Sequence, residues 1–140
     1  MNYTSISQSK QLIEAGLDPN TADMYFQIFD DGITTNPQVF VNTKFEDLKR
    51  GYNWQPCWSL EALIGLMPAY ITTNYTIGSN LFIQRVGNSY GESGFRIYYK
   101  LDENAAYTDF ITSYDYKNLI DAAFETVLWL LENNYIKKKK

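Results

Sequence analysis

The residues able to carry chemistry are few, and their types narrow the field. The chain has no histidine. Histidine is the side chain that most often serves as a general base near neutral pH, and it is the commonest metal ligand. Ser-His-Asp and Cys-His arrangements therefore cannot be assembled within one chain. A single cysteine, Cys57, lies between Pro56 and Trp58. It reads as a small semi-buried side chain rather than a nucleophile, and one thiol with no imidazole does not make a zinc site. No cofactor is expected. No glycine-rich phosphate loop joins a strand to a helix, and the calcium-loop spacing of acids before a glycine is absent.

Carboxylates remain. Asp30/Asp31, Glu46/Asp47 and Asp102/Glu103 are sequence neighbours. Adjacent side chains on a strand point to opposite faces, so adjacency is weak ground for an acid/base pair. Glycosidase carboxylates must instead face each other across a cleft. These acids read as solvated turn residues, and a carboxylate-based hydrolase is the least favoured of three function classes. The densest binding candidate is the aromatic run Tyr52-Asn53-Trp54-Gln55-Pro56-Cys57-Trp58. Trp and Tyr give rigid contact area with a polar tip, which suits protein interfaces and stacking on sugars or bases. Trp58 is better explained as an anchor for the helix that follows. Tyr52, Trp54 and Trp129 are the candidate binding residues.

Composition bounds what these residues can serve. One domain over 1–140 is expected from the length, with residues 1–5 and 137–140 flexible. Hydrophobic residues make up 45% and charged residues 20%, the balance of a chain that folds on a core. Four of the 12 basic residues form the terminal run Lys137–Lys140. Without them 8 basic face 16 acidic residues, a body charge of −8. Such a body repels phosphate backbones, so nucleic acid is not an expected partner. No apolar run is long enough to span a bilayer, and a polybasic tail needs a second signal to hold a membrane. The first ten residues hold no basic cluster followed by an apolar run, so a cytoplasmic location is expected.

The elements that must position the candidates follow from periodicity and punctuation. Ser5 or Ser7 caps a short first helix that Gly16 ends. Pro19 opens a single helical turn. From Met24 to Gln55 little regular structure is expected beyond a short strand at Val39-Phe40-Val41 and a helical turn at 45–49. Ser59 caps a helix over 59–67, with Trp58 and Leu63 at staple spacing. Asn80–Gly87 and Gly94–Leu101 read as a hairpin. In its second strand Phe95, Ile97, Tyr99 and Leu101 alternate with Arg96, Tyr98 and Lys100. Tyr107–Ser113 supplies a third strand. A long helix runs from Tyr116 to about Asn134, with Asp115 as cap. Its apolar residues cover about half the circumference, wider than a surface stripe, so cover on two sides is expected. Trp129 falls among its acids. The expected class is α+β: a small antiparallel sheet of about three strands around 80–113, packed against this helix and two shorter ones.

Three stretches resemble a group of small proteins of gut Bacteroidetes and their prophages or mobile elements. They are Leu17-Asp18-Pro19-Asn20-Thr21-Ala22-Asp23-Met24, Pro56-Cys57-Trp58-Ser59-Leu60-Glu61-Ala62-Leu63 and Asn118-Leu119-Ile120-Asp121-Ala122-Ala123-Phe124-Glu125. The resemblance implies a bacterial cytoplasmic or phage-linked origin and carries no activity. The favoured function is a non-catalytic interaction module whose partner is another protein or a second copy. The alternative is a small-molecule or sugar binder with Tyr52 and Trp54 as its platform.

Overall fold

The structure, a computed structural model, describes residues 2–28, 37–39, 53–87, 91 and 93–139. In chain order these form α1 (Ile6–Glu14), a 3-10 turn (Pro19–Thr21), β1 (Met24–Ile28), β2 (Gln38–Val39) and β3 (Asn53–Cys57). There follow α2 (Leu60–Leu66), β4 (Tyr70–Ile71), β5 (Ser79–Gly87), β6 (Ser93–Lys100), β7 (Thr108–Ile111) and α3 (Leu119–Glu132). The class is α+β, with the strands in two antiparallel sheets ordered β2-β1-β3 and β4-β5-β6-β7.

Local signals start and stop the helices. Ser5 Oγ accepts from Gln8 N at 3.1 Å and the Gln8 side chain accepts from Ser5 N at 3.0 Å. This reciprocal box satisfies two amides that the helix leaves unpaired. Gly16 then sits at φ +107°, a backbone that glycine adopts without steric cost. Ser59 Oγ accepts from Ala62 N at 3.1 Å to cap α2, and Asp23 accepts from both the amide and the hydroxyl of Ser59. Trp58, the residue before that cap, and Leu63 are both fully buried, as staple spacing requires.

The alternation read over β6 is realised as one buried face. Ile97 and Tyr99 are buried while Arg96 and Tyr98 turn to the other side. Leu101 lies beyond the end of the strand and is half exposed. The buried residues share one core with Ile120, Ala123, Val127 and Leu130 of α3. Helix α3 also packs against α2 and α1. It is thus covered by the sheet on one side and by helices on another, as its wide apolar arc demands. The Tyr99 hydroxyl escapes burial without a partner by donating to Pro68 O at 2.7 Å.

Three boundaries differ from the sequence reading, each for a stated reason. Helix α3 begins three residues late, with Asn118 at the cap position and no side-chain cap bond. Tyr116 instead exchanges backbone hydrogen bonds with Phe95 (2.6 and 2.8 Å), which holds residue 116 in an extended bridge. That close approach needs Gly94, where an added Cβ would lie 3.0 Å from Tyr116 O. Asp115 is freed from capping and grips Arg96, with Nε–Oδ1 and Nη2–Oδ2 both at 3.0 Å. The 80–113 sheet gains a fourth strand, β4, which pairs with β5.

The third difference is larger. Met24–Ile28 and Asn53–Cys57, expected to be irregular, form the second sheet, in register Phe26↔Gln55 and Gln27↔Trp54. Phe26 and Cys57 share its buried face. The turn residues Asp30, Asp31, Gly32 and Asn36, the strand residues Phe40 and Val41, the helical turn at 45–49 and most of the 88–93 hairpin tip lie outside the described residues.

Trp58 ties the N-terminal segment and the 3-10 turn to the end of β3. Its backbone N donates to Thr4 Oγ1 and its indole Nε1 to Thr21 Oγ1, both at 3.0 Å, while Thr4 N donates to Trp58 O at 2.9 Å. Helix α3 is the other tie, and its central leucine measures that. Leu130→Ala should lower the unfolding free energy by about 2–5 kcal/mol, the cost of an unfilled core site. Urea denaturation followed by circular dichroism would register this as a lower midpoint at an unchanged slope.

Candidate functional site

The three aromatic candidates have different fates. Tyr52 lies outside the described residues. Trp54, on β3, is half-buried and stands edge-on to Tyr25, ring centroids 4.5 Å apart. In the ladder register both rings lie on the sheet face opposite Phe26 and Cys57. Trp129, on α3, packs on Phe110 (4.6 Å), Tyr135 (5.4 Å) and Tyr99 (6.5 Å). It therefore belongs to the rim of the core. Trp54 lies on a strand of the first sheet and Trp129 on helix α3, so the structure does not bring them together as one platform.

Trp129 nevertheless lines a groove of about 490 Å³ between β7 and α3. One wall is helical: Leu128, Trp129 and Glu132 lie three, four and seven positions after Glu125, a single stripe along α3. The other wall is the outer edge of β7: Phe110, paired with Tyr99, lies on the sheet face that α3 covers, while Ile111, paired with Tyr98, turns its side chain to the opposite face. Three of the lining residues are acidic, and among the described residues no Lys or Arg lines it.

Two of the three acids are already engaged. Glu125 accepts from Ser113 N through both oxygens at 3.0 Å and also from the Ser113 hydroxyl. The Tyr116 hydroxyl is pushed up to about 12, first by burial and then by the Glu125 carboxylate beside it. Asp109 Oδ1 accepts from Thr73 Oγ1 at 2.8 Å, which ties the 72–78 loop to β7. Its other oxygen, Oδ2, is buried and has no hydrogen-bond partner among the described residues. Glu132 is exposed, and no ion pair engages it among the described residues.

The arrangement is a recess edged by acids with Trp129 and Phe110 at its base. No group of three Asp, Glu, Cys or His is close enough to hold a metal ion among the described residues. Glu125 is engaged in holding Ser113 through its amide and hydroxyl. A smaller cleft of about 170 Å³ beside Gly87 and Gly94 contains Arg96 and Lys117, but Asp115 already chelates the guanidinium there. Sequence reasoning picked out Trp129 and placed it among the helix acids Glu125 and Glu132, but missed Asp109 on the neighbouring strand. The i, i+4, i+7 spacing of Glu125, Trp129 and Glu132 was the signal for the helix acids.

No family model, curated protein or solved structure matches this chain. Among the described residues no helix is long and apolar enough to cross a membrane.

Cys57 offers no second reactive centre. It is buried, and burial, then the nearby Asp23 charge, pushes its thiol up to about 12. Only the thiolate attacks, so native protein should react with a disulfide reagent no faster than it unfolds. The unfolded thiol ionises near its usual value of about 8.5. The folded state binds this proton more tightly, so the contribution is complete at neutral pH and lost as pH climbs from there towards 12. Urea midpoints taken at pH 7, 9 and 10.5 should fall more steeply for the natural protein than for Cys57→Ala.

Proposed function

We propose that this chain is a non-catalytic protein-interaction module that engages its partner in the groove between β7 and α3. One observation carries the reading: an exposed strand edge runs beside a helical stripe that presents Trp129 and Leu128 between two carboxylates. An aromatic and aliphatic floor with a polar rim is the anatomy of a recognition surface. The engagement of Glu125 and Asp109 in structural bonds supports binding over hydrolysis. With the resemblance noted above, the reading extends to an accessory protein of a prophage or mobile element, acting on a protein in a bacterial cytoplasm.

A second reading draws on the groove's size. About 490 Å³ falls within the range of small-ligand sites, about 300–1,000 Å³. Such sites are mostly apolar and enclosing, whereas this one is edged by acids and bounded on one side by a strand.

Selection from a displayed library of random twelve-residue peptides separates the two. The natural protein should enrich one family of related sequences. Ile111→Arg, a change at a half-exposed groove residue, should lose that family while keeping its circular dichroism spectrum. No enriched family, or one equally enriched on the variant, would overturn the proposal. A thermal midpoint raised by sugars or nucleotides, with no peptide enriched, would favour the second reading.

A further inference from the structure

Resting on that reading, we infer that the occupant of the groove is an extended peptide segment bearing lysine or arginine, added as a strand to the outer edge of β7. Three independent features point there.

The first is the edge. β7 is the last strand of its sheet. Thr112 N donates to Ile97 O at 3.0 Å, and Phe110 stands opposite Tyr99. In an antiparallel pair alternate residues turn their backbone groups to the partner strand. Phe110 and Thr112 are committed to β6, so the N–H and C=O of Ile111 point outwards. An outward amide and carbonyl beside a groove form the template that extended peptides complete by strand addition. Ile111 has no backbone partner outside the β6 ladder among the described residues.

The second is charge. Asp109, Glu125 and Glu132 line the groove, with no cation among the described residues that line it. Lys139 is held elsewhere: its N donates to Gly16 O at 2.8 Å and its ammonium lies 3.4 Å from Asp18. Glu132 is the last residue of α3, in a final turn with no basic residue. A carboxylate at the negative end of the helix dipole opposes folding, so local helix stability does not explain this acid.

The third is dimension. Glu125 and Glu132 lie seven residues apart along α3, about 10 Å at 1.5 Å per residue. An extended strand advances about 3.3 Å per residue and returns to the same face every second one. Cations two or four residues apart on the added strand reach both acids, since lysine and arginine side chains are long and flexible. Their methylene stems would lie along the Trp129 ring, with the charge at its rim.

The probe is an eight-residue peptide alternating valine and lysine, labelled for fluorescence anisotropy. Its counterparts are a valine and glutamate peptide and a valine and lysine peptide methylated on alternate backbone nitrogens. The valine and lysine peptide should bind, more weakly at 300 mM than at 50 mM salt, and the glutamate peptide should not. Backbone methylation on the ladder-forming nitrogens, and Ile111→Pro in the protein, should each weaken binding at least tenfold. Proline at an edge strand's outward position is compatible with the sheet; should Ile111→Pro misfold, the methylated peptide still tests the ladder. Glu132→Lys should weaken binding at least tenfold while its thermal midpoint stays equal or rises. If the methylated peptide binds as well as the parent, the added strand is wrong. If neither lysine peptide binds while the displayed library still enriches a groove-dependent family, the interaction reading stands and the cationic partner falls.

Discussion

Helix α3 can exist in its observed place only because two different surfaces close over it. Its buried residues, Ile120, Ala122, Ala123, Thr126, Val127, Leu130 and Leu131, spread too widely to be satisfied by a sheet alone. The sheet supplies Ile97 and Tyr99, and the helical side supplies Leu12 and Leu63. Ala122 and Ala123 keep the helix slim where neighbours approach, and Thr126 satisfies its buried hydroxyl on Ala122 O at 2.8 Å. Everything that presents the groove depends on this packing, because one wall of the groove is the remaining face of the same helix.

Trp129 shows how a buried anchor and a surface feature can be one residue. A helical projection puts it among Asp121, Glu125 and Glu132, on the side expected to meet water. The structure brings β7 and Tyr135 up to it, so the ring contacts Phe110, Tyr99 and Tyr135. An indole is large enough to touch the core with one part and leave another in the groove. The surrounding acids are then the rim of a recess whose floor is aromatic.

Legibility followed the range of the interactions. The cap at Ser59, the stop at Gly16 and the alternation of β6 depend on residues a few positions apart, and each was readable. The second sheet was not. Met24-Tyr25-Phe26-Gln27-Ile28 has no period-2 pattern, and Asn53-Trp54-Gln55-Pro56-Cys57 carries a proline that argues against a central strand. Their pairing joins segments about thirty residues apart, and nothing local announces such a partner. The start of α3 was misplaced for a similar reason. Asp115 has the chemistry of a cap, but Arg96 on a distant strand competes for it and Phe95 captures Tyr116. Glu125 and Glu132 were legible around Trp129 from helical spacing, whereas Asp109 was not, because a strand distant in sequence brings it to the groove.

The way α3 stops has a further consequence. Asn134 takes φ +64°, Asn134 N donates to Leu131 O at 3.1 Å and Tyr135 N reaches back to Leu130 O at 2.8 Å. Together they form the left-handed reversal that closes a helix end. This reversal swings Tyr135 beneath the indole and sends the following residues towards Gly16. A single inverted backbone angle thus acts as a keystone for the recess: the chirality of one asparagine dictates whether the lower ring of the aromatic stack is there at all.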